Sequence, residues 1–559
     1  MCKLCDEGKP QDHADSTDSD SLLASRRDFL KASVATGAAA AGLSLFNAAA
    51  ARDDDDDDRD DDDGPPKQSG RPGRRYIIRG GAVMSMDPNV GDFAKADVLV
   101  EGKKILAVGP HLHAGGAAVI DARGKIVMPG FVDTHHHQAW TAIRSSIPDS
   151  ILIDDGTKTA SAQQNYFFNI LGGLDPSLPG FANHYRPEDV YISELFGGLS
   201  QLDAGVTTVL DISQIHHSPQ HSDAAVKALK DTGRRAMLGF FESAGNISGN
   251  QYPTDAARIA GTLSGHDLVG FVMGGEVYLG NATTRQSWTI GRQLGVLVAA
   301  HILSPFGIRP ILDQLTGVSP DVPDFTGQTL EGIEVGEDNL FIHMTGMSDP
   351  AWQKVKDVGA KVSIAFPIEM NMRHGEPPIL KMQSFSSPTF EPSLSSDVET
   401  NMTADFFTQM RTAMTMQRMA ANQAVLNQGL PPNPLNPWPS YPANLPPLLN
   451  VRDVLRYATI NGAKHLRLDG KTGTLTPGKE ADIIILDGTH INVFPVNHVP
   501  GAVVQMMERS NVETVIVAGK IRKWKGRLLD VNLRRLRREL EKSRDFLFAQ
   551  SKHSQDLFR

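Results

Sequence analysis

From Met128 to His137 the sequence reads Met-Pro-Gly-Phe-Val-Asp-Thr-His-His-His, which is a Pro-Gly pair, an apolar run and three consecutive histidines. The apolar run predicts a β-strand with the histidines at its carboxyl end. Residues two apart on a strand point to the same side, so His135 and His137 share one face and His136 lies on the other. Two imidazoles on one face of a strand supply half of a metal site.

The surrounding chain alternates between strand-like and helix-like patterns. Eight short apolar strands with helical crossovers across 130–466 predict a parallel (β/α)8 barrel, for which a doubly wound sheet is the alternative. The strand candidates are 127–134, 206–212, 236–241, 268–273, 296–301, 339–343, 361–366 and 393–397, and helical patterns include 222–232, 286–294, 349–358, 400–428 and 452–466.

Short β-rich runs separated by Gly, Asp and Lys flank this barrel on both sides. They predict a small split β-sandwich domain built from 75–126 and 467–528, with the barrel spanning 127–466. A charged amphipathic helix is predicted within 529–559. The overall fold class is therefore α/β.

Three more strand candidates end in a side chain that can bind a metal. They are the strands that close with His301, His343 and Asp397. Active sites of such barrels lie at the carboxyl ends of the strands, so these side chains should meet His135 and His137 there. Imidazole and carboxylate ligands suit one divalent ion, for which Zn²⁺ is the first choice and Fe²⁺ or Mn²⁺ the alternatives.

Taken together, these motifs resemble the amidohydrolase superfamily, in the branch of cytosine, guanine and S-adenosylhomocysteine deaminases and triazine hydrolases. The similarity covers about 75–525. The matching stretches are Pro129-Gly-Phe-Val-Asp-Thr-His-His-His137, Gly205-Val-Thr-Thr-Val-Leu-Asp211, the strand-end residues His301, His343 and Asp397, and Gly473-Thr-Leu-Thr-Pro-Gly-Lys-Glu-Ala-Asp-Ile483.

The resemblance implies one catalytic metal ion held by His135, His137, His301 and Asp397, with a water molecule activated for attack. It also implies that Asp397 takes the proton of that water and passes it to the leaving group. His343 would polarise the bond under attack or serve as a further metal ligand. The catalytic residues would thus be Asp397 and His343.

One departure from the family pattern bears on the reaction. Deaminases of this branch usually carry a Glu three residues after the histidine of the fifth strand, and here that position is Ser304. We therefore rank hydrolysis of an amide or opening of a ring above aromatic deamination. Glu369 is a candidate substitute for the missing proton shuttle. Glu276 is a candidate bridge to a second metal ion, with an ordinary loop glutamate as the alternative.

Other residues near the predicted mouth of the barrel could touch a substrate. They are the histidines His216, His217 and His221, the loop Met370-Asn-Met-Arg-His-Gly375, and Trp140. For each of them a purely structural role is the alternative, because loop histidines and apolar side chains are commonly involved in packing or exposed to solvent.

The expected function is that of a hydrolase acting on a carbon–nitrogen bond other than a peptide bond, in a cyclic or linear amide, an amidine or an amino-heterocycle. The alternatives are a lactonase or esterase using the same site, and a catalytically inactive binding protein that retains the metal. The expected partner is a small molecule, and a homo-oligomer is compatible with the sequence. Nucleic acid is not an expected partner, because residues 64–559 carry 48 basic and 48 acidic groups.

The amino-terminal segment predicts export. Arg26 and Arg27 precede a weakly apolar run and an Ala-rich end, a pattern typical of a twin-arginine signal over 1–51. The only cysteines, Cys2 and Cys5, lie ahead of the arginine pair. The Asp-rich stretch in 52–74 predicts a disordered spacer. We therefore expect a precursor recognised by the twin-arginine export machinery and a periplasmic or secreted mature protein that is not inserted in a membrane.

Overall fold

The computed structural model describes residues 64–173, 180–244, 251–318, 323, 327–385, 390–428, 441–555 and 557–558. The predicted signal and the Asp-rich part of the spacer lie outside these residues. The last part of the spacer, 64–74, is described and forms turns. In these turns, Ser69 Oγ accepts a hydrogen bond of 3.1 Å from the Ile521 amide. No helix among the described residues is both long and apolar enough to cross a membrane.

The strands of the described residues form two sheets. They are β1 Arg75–Met84, β2 Asp92–Glu101, β3 Lys104–Gly109, β4 Ala118–Asp121, β5 Lys125–Pro129, β6 Phe131–His136, β7 Val206–Ser213, β8 Arg235–Phe240, β9 Val269–Gly274, β10 Val298–Leu303, β11 Asn339–Thr345, β12 Lys361–Ile364, β13 Ser393–Leu394, β14 Ile483–Asp487, β15 Val512–Val517, β16 Lys520–Trp524 and β17 Arg527–Leu528.

Strands β6 to β13 form the predicted barrel. Each pairs in parallel with the next in chain order, and a bridge between His136 and Asp397 joins the last strand to the first. Parallel neighbours require crossover connections, and helices supply most of them here. The (β/α)8 prediction is therefore confirmed.

The α-helices occupy the crossovers and the carboxyl terminus. They are α1 Ala160–Gln163, α2 Tyr166–Asn169, α3 Pro187–Asp203, α4 Pro219–Thr232, α5 Ala256–Leu263, α6 Asn281–Gln293, α7 Ile308–Leu315, α8 Asp349–Asp357, α9 Phe366–Asn371, α10 Ile379–Gln383, α11 Phe406–Asn427, α12 Val451–Arg456, α13 Gly462–His465, α14 Val499–Gly501 and α15 Leu533–Ser551. A π-helical segment, Tyr457–Asn461, joins α12 to α13, so the predicted helix 452–466 is interrupted.

The predicted strand 127–134 is in fact two strands that belong to different sheets. Gly130 separates β5 from β6, and its amide donates to the Asp482 carbonyl at 3.1 Å. A Cβ at this position would lie 2.2 Å from the side chain of Thr207, so only glycine fits. The apolar pattern continues through the junction because both strands are buried.

The second sheet contains the strands from both ends of the chain. Its order is β17-β16-β15-β14-β5-β1-β2-β3, with β4 beside β1, and β14 pairs antiparallel with β5. Ile483 and Ile485 face a separate apolar core, whereas Ile484 and Leu486 between them face the core shared with the barrel. The nine strands make one hydrogen-bonded sheet around that separate core.

The last barrel strand is shorter than predicted. The pattern 393–397 predicts a strand that ends at Asp397, but β13 stops at Leu394. Asp397 instead adopts a left-handed backbone conformation (φ 62°) and is held by two backbone hydrogen bonds. Its amide donates to the His135 carbonyl at 3.0 Å, and its carbonyl accepts from the His137 amide at 2.9 Å.

An ion pair connects the barrel to the second sheet. Arg235, at the start of β8, donates to Asp482 from Nε at 2.8 Å and to Glu480 from Nη2 at 2.7 Å. The side chains of Arg235 and Asp482 are 2% and 0% exposed. Asp482 Oδ1 also accepts from the Ala518 amide at 2.7 Å, so this carboxylate orders the turn after β15 as well.

We expect Arg235→Met to lower the free energy of unfolding by about 3–5 kcal/mol, because Asp482 would remain buried without its cation. Urea denaturation followed by circular dichroism measures this change. Arg123→Met is the matched control, since Arg123 pairs with Asp121 at an exposed position, and it should leave the denaturation midpoint unchanged. Equal midpoints for all three proteins would contradict this role of the ion pair.

Candidate metal centre and active site

The structure brings the five predicted metal-binding side chains together inside the mouth of the barrel. His135 lies on β6, and His137 follows that strand directly. His301 lies on β10 and His343 on β11, while Asp397 follows β13. All five residues are buried. The alternation of the strand places His135 and His137 on the same side, as expected.

The nitrogen and oxygen atoms of this group lie within ligand-to-ligand distance of one another. The Nε2 atom of His135 is 2.9 Å from Nε2 of His137 and 3.1 Å from Nε2 of His301. Asp397 Oδ1 lies 3.6 Å from Nε2 of both His135 and His137. Asp397 Oδ2 lies 3.6 Å from Nε2 of His343.

These distances fit a single divalent cation. Ligands about 2.0–2.1 Å from a tetrahedral zinc ion are roughly 3.3 Å apart, which is close to the separations found here. Two overlapping groups of three side chains each have their donor atoms within 4.8 Å of one another. The first group is His135, His137 and His301, and the second is His135, His343 and Asp397. His135 belongs to both groups and is therefore the central ligand of the arrangement.

The electrostatics of the group also favour a cation. Burial lowers the pKa values of His135, His137 and His343 well below the usual value, and the neighbouring imidazoles lower them further. Neutral imidazoles present nitrogen lone pairs to a metal ion. Burial raises the pKa of Asp397 to about 7, although the charge of the neighbouring His301 opposes this rise.

Two buried glutamates orient the ligand histidines from behind. Glu276 contacts Nδ1 of His301, and Glu369 Oε1 lies 2.9 Å from Nδ1 of His343. Burial opposes a charge on His301, but the Glu276 carboxylate raises the pKa of that imidazole overall. Carboxylates that hold the second nitrogen of a ligand histidine fix the ring and its tautomer. Glu276 and Glu369 therefore position ligands, which differs from the metal bridge and the proton shuttle considered from sequence.

The strand that carries the first two histidines rests on a buried polar network. Asp133 accepts hydrogen bonds from Gln201 Nε2 at 2.6 Å and from the Ser396 hydroxyl and amide. Arg234, fully buried, donates to Gln201 Oε1 at 2.8 Å and to Gln138. Burial raises the pKa of Asp133 to about 6. This network ties β6 to the segment that carries Asp397, and so sets the spacing of the two halves of the site.

Two of the candidate ligands have strained backbones. His343 has φ 73° and Asp397 has φ 62°, both in the left-handed region that residues with a Cβ rarely occupy. Such conformations cost about 1–3 kcal/mol each and persist where surrounding contacts enforce them, often at functional sites. The strain places both side chains toward His135.

Four of these five side chains, His137, His301, His343 and Asp397, line a small cavity of about 40 Å³. Sequence reasoning missed several residues of its lining, which come from segments far apart in the chain: Leu152, Tyr166, Leu171, Gln214, Tyr278, Leu303 and Val398. Gln214 follows β7 directly, so its position at a barrel strand end was the available signal. Met372 and His374, from the loop considered as pocket lining, do border the cavity.

Other sequence candidates have structural contacts instead. Trp140 donates from Nε1 to the Tyr166 hydroxyl at 2.9 Å, so it supports a lining residue from behind. His216 lies 2.9 Å from Ser222 Oγ, His217 lies 2.8 Å from the Ala182 carbonyl, and His221 lies 3.0 Å from the Tyr185 carbonyl. These three histidines hold loops together outside the lining of the cavity.

The chain is similar to several known proteins. Residues 445–522 match the model of the amidohydrolase family. The 5'-deoxyadenosine deaminase of Methanosarcina mazei is 26% identical over 481 residues, which are 85% of this chain and 98% of that protein. The 5-methylthioadenosine/S-adenosylhomocysteine deaminase of Thermococcus onnurineus is 25% identical over 436 residues, which are 76% of this chain and 89% of that protein.

Two solved structures share the fold. An adenosine deaminase from Xanthomonas campestris with bound zinc has a TM-score of 0.67 at 19% identity and covers 87% of this chain and 100% of its own. A triazine hydrolase from Arthrobacter aurescens has a TM-score of 0.66 at 20% identity and covers 84% and 99%. These comparisons support a relationship to the amidohydrolase superfamily.

We expect Glu276→Gln to weaken zinc binding by about 10- to 100-fold, because His301 loses the carboxylate that orients it. Competition with a chromogenic chelator measures the affinity. Glu188→Gln is the control, because Glu188 pairs with Arg186 at the surface, and its affinity should match that of the wild type. An unchanged affinity in Glu276→Gln would show that this carboxylate does not support a ligand.

Proposed function

We propose that this protein is a metal-dependent hydrolase of small molecules, acting on a carbon–nitrogen bond other than a peptide bond. The observation that carries the proposal is the convergence of four buried imidazoles and the Asp397 carboxylate beside a cavity. A divalent cation bound there would act as a Lewis acid and lower the pKa of a water molecule to about 7. The deaminases and hydrolases that the chain resembles agree with this class of enzyme.

Asp397 is the proposed proton-transfer residue. It is the one carboxylate among the residues that line the cavity. As a base it takes a proton from the attacking water, and as an acid it returns that proton to the leaving nitrogen. Burial alone raises its pKa to about 7, and a bound cation would lower that value and favour the ionised form that a base requires.

His343 can act in two ways, and the protonation state of Glu369 determines which of them it adopts. An ionised Glu369 accepts from Nδ1–H, which leaves the Nε2 lone pair facing the site as a metal ligand. A protonated Glu369 donates to Nδ1, which leaves Nε2–H facing the site as a hydrogen-bond donor to the substrate. Burial raises the pKa of Glu369 well above its usual value, and the Ala365 amide donates to the same Oε1 at 3.0 Å. We therefore retain both roles for His343, as a further metal ligand and as the group that polarises the bond under attack.

Two observations bear on the substrate class, and each favours a different class. The curated relatives deaminate adenosine derivatives, which favours an amino-heterocycle. Position 304, however, is a serine that borders a different cavity and packs against Gly346. With Asp397 alone to move protons, an amide or a cyclic amide is the simpler substrate. Both classes share the attack of water on a carbon bonded to nitrogen.

The zinc-loaded protein should release ammonia or an amine from at least one member of a panel of adenosine-type nucleosides, aminotriazines, amidines and cyclic amides. Asp397→Asn should lower that activity by about 10²- to 10⁴-fold, the usual contribution of a general acid–base group. Coupled assays for ammonia and amine release measure both. Asp231→Asn, at an exposed ion pair with Lys227, is the control and should keep full activity.

Two outcomes would contradict the proposal. Turnover of lactones or esters alone would identify a lactonase or esterase that uses the same site. Metal-dependent ligand binding without product from any panel member would identify a binding protein.

We further propose that the precursor is exported by the twin-arginine machinery and acts in the periplasm or outside the cell. The support is the Arg26-Arg27 pair followed by a weakly apolar, Ala-rich run. Export of a folded chain suits an enzyme whose metal centre is assembled from distant segments of sequence.

Replacing Arg26 and Arg27 with lysine should keep the full-length precursor in the cytoplasm, because the export machinery reads the arginine pair. Immunoblots of periplasmic and cytoplasmic fractions measure the distribution and the processing. Arg52→Lys with Arg59→Lys, in the Asp-rich segment, is the control and should be exported normally. Equal export of all three proteins would refute a twin-arginine signal.

A further inference from the structure

The cavity beside the metal-binding group is also lined by polar side chains that are not candidate ligands. They are Tyr166, Gln214, Tyr278 and His374. Both ring nitrogens of His374 are buried, and Gln214 Nε2 donates to Glu242 Oε1 at 2.7 Å. The single hydroxyl proton of Tyr278 also goes to Glu242. The hydroxyl of Tyr166 differs from these groups in the use of its proton.

Tyr166 has an unused hydrogen-bond donor. Its hydroxyl oxygen accepts from Trp140 Nε1 at 2.9 Å, and an indole N–H can only donate. The hydroxyl proton of Tyr166 has no acceptor among the described residues. The residue is 6% exposed and lines the cavity. Buried polar groups are almost always paired, so a water molecule or a ligand in the cavity must accept this proton.

The Tyr166 ring has a fixed position relative to the metal ligands. Trp140 is fully buried and lies three residues after His137, so its indole connects the phenol to the strand end that carries two ligands. The Tyr166 amide donates to the Ile151 carbonyl at 2.9 Å, and the Tyr166 carbonyl accepts from the Ile170 amide at 2.9 Å. A donor held in this way is preorganised and loses little entropy when it binds.

The surroundings of the phenol keep it protonated. Burial, and to a smaller extent the negative charge of Asp397, raise the pKa of Tyr166 well above its usual value of 10.0. A bound cation that offset part of this rise would still leave the phenol protonated at neutral pH. Tyr166 therefore differs from Asp397, because it can stabilise charge on a substrate but does not act as the acid or the base.

We propose that Tyr166 is a further catalytic residue, which donates a hydrogen bond to the substrate atom that gains negative charge when water attacks the adjacent carbon. This inference rests on the proposed function, because it concerns the same active site. That atom is the carbonyl oxygen of an amide, or a nitrogen of an amidine or an amino-heterocycle. As the new carbon–oxygen bond forms, one bond of the C=O or C=N group opens and its electron pair moves to this atom. Tyr166 keeps its own proton throughout, and the proton of water goes to Asp397.

This role of Tyr166 is independent of the role that His343 takes. If an ionised Glu369 makes His343 a metal ligand, that imidazole has no proton to offer the substrate, and Tyr166 supplies a donor from the protein. If Glu369 is protonated, Tyr166 and His343 can both donate to the substrate. The phenol therefore contributes in either case.

Three variants separate the hydroxyl proton from the hydrogen bond that Trp140 makes. Tyr166→Phe removes the proton and leaves the Trp140 indole unpaired. Trp140→Phe removes the indole and keeps the proton. The double variant removes both partners, which avoids an unpaired buried group and so preserves folding.

The two variants without the Tyr166 hydroxyl should lose activity to the same extent. In each of them kcat should fall by about 10²- to 10³-fold, the usual contribution of such a donor, with a smaller change in KM. Trp140→Phe alone should have a clearly smaller effect, and the double variant should add little to Tyr166→Phe because the two residues act as one pair. Tyr76→Phe is the matched control and should keep full kcat, since the buried Tyr76 hydroxyl donates to the Gly519 carbonyl at 2.9 Å in the second sheet.

A binding measurement tests the donor without turnover. Acetohydroxamate is the probe, because its oxygen atoms can bind a zinc ion and accept a hydrogen bond. Isothermal titration calorimetry on the zinc-loaded full chain should show about 2- to 10-fold weaker binding to the two variants without the Tyr166 hydroxyl, the loss expected for one hydrogen bond. Zinc content and circular dichroism of each variant exclude loss of the metal or of the fold as the cause.

The outcomes separate failure of this inference from failure of the proposed function. If a panel member is hydrolysed, unchanged kcat in Tyr166→Phe and in the double variant would overturn the role of Tyr166 and leave the proposed function intact. Equal losses in all three variants would assign the effect to packing around Trp140 and would overturn it as well. If no panel member is hydrolysed, the proposed function fails and the affinity for acetohydroxamate decides. Weaker binding to the two variants supports the donor, whereas equal or undetectable binding overturns it.

Discussion

Four imidazoles and a carboxylate packed into one buried group are the constraint on which the rest of the site depends. Burial makes protonation of an imidazole unfavourable. A charge on one imidazole further opposes protonation of its neighbours. Burial likewise opposes a charge on Asp397, and the charge of His301 offsets this only in part. A divalent cation removes both penalties, because it supplies the positive charge that the carboxylate lacks and uses the lone pairs of neutral imidazoles.

The architecture serves to hold these five side chains close together. Parallel strands deliver them to one end of the barrel, Glu276 and Glu369 fix the outer nitrogens of two rings, and the Asp133 network sets the distance between β6 and the segment of Asp397. Left-handed backbone at His343 and Asp397 shows that the fold accepts local strain to aim the ligands. Loops next to the metal-binding group also line its cavity. They therefore affect both the chemistry at the site and the size of the substrate.

The barrel and all five candidate ligands were predictable from sequence because each leaves a local signal. Buried parallel strands produce apolar runs of characteristic length, and a histidine at the end of such a run is conspicuous. The boundary at Gly130 was not predictable, because β5 and β6 are both buried and the apolar pattern does not change between them. The early end of β13 was missed for a related reason, since Asp397 keeps its place through backbone hydrogen bonds and not through strand pairing.

The sequence by itself determined which chemical groups are available: histidines and a carboxylate at strand ends, a serine at position 304, and an arginine pair near the amino terminus. Only the tertiary structure decided what those groups do. Glu276 and Glu369 became supports for ligand rings, and three histidines after β7 became loop contacts. His374 borders two cavities and has no hydrogen-bond partner for its ring among the described residues. The physical reason is that hydrogen-bond partners and burial arise from residues distant in the chain, and no local pattern records which of them will meet.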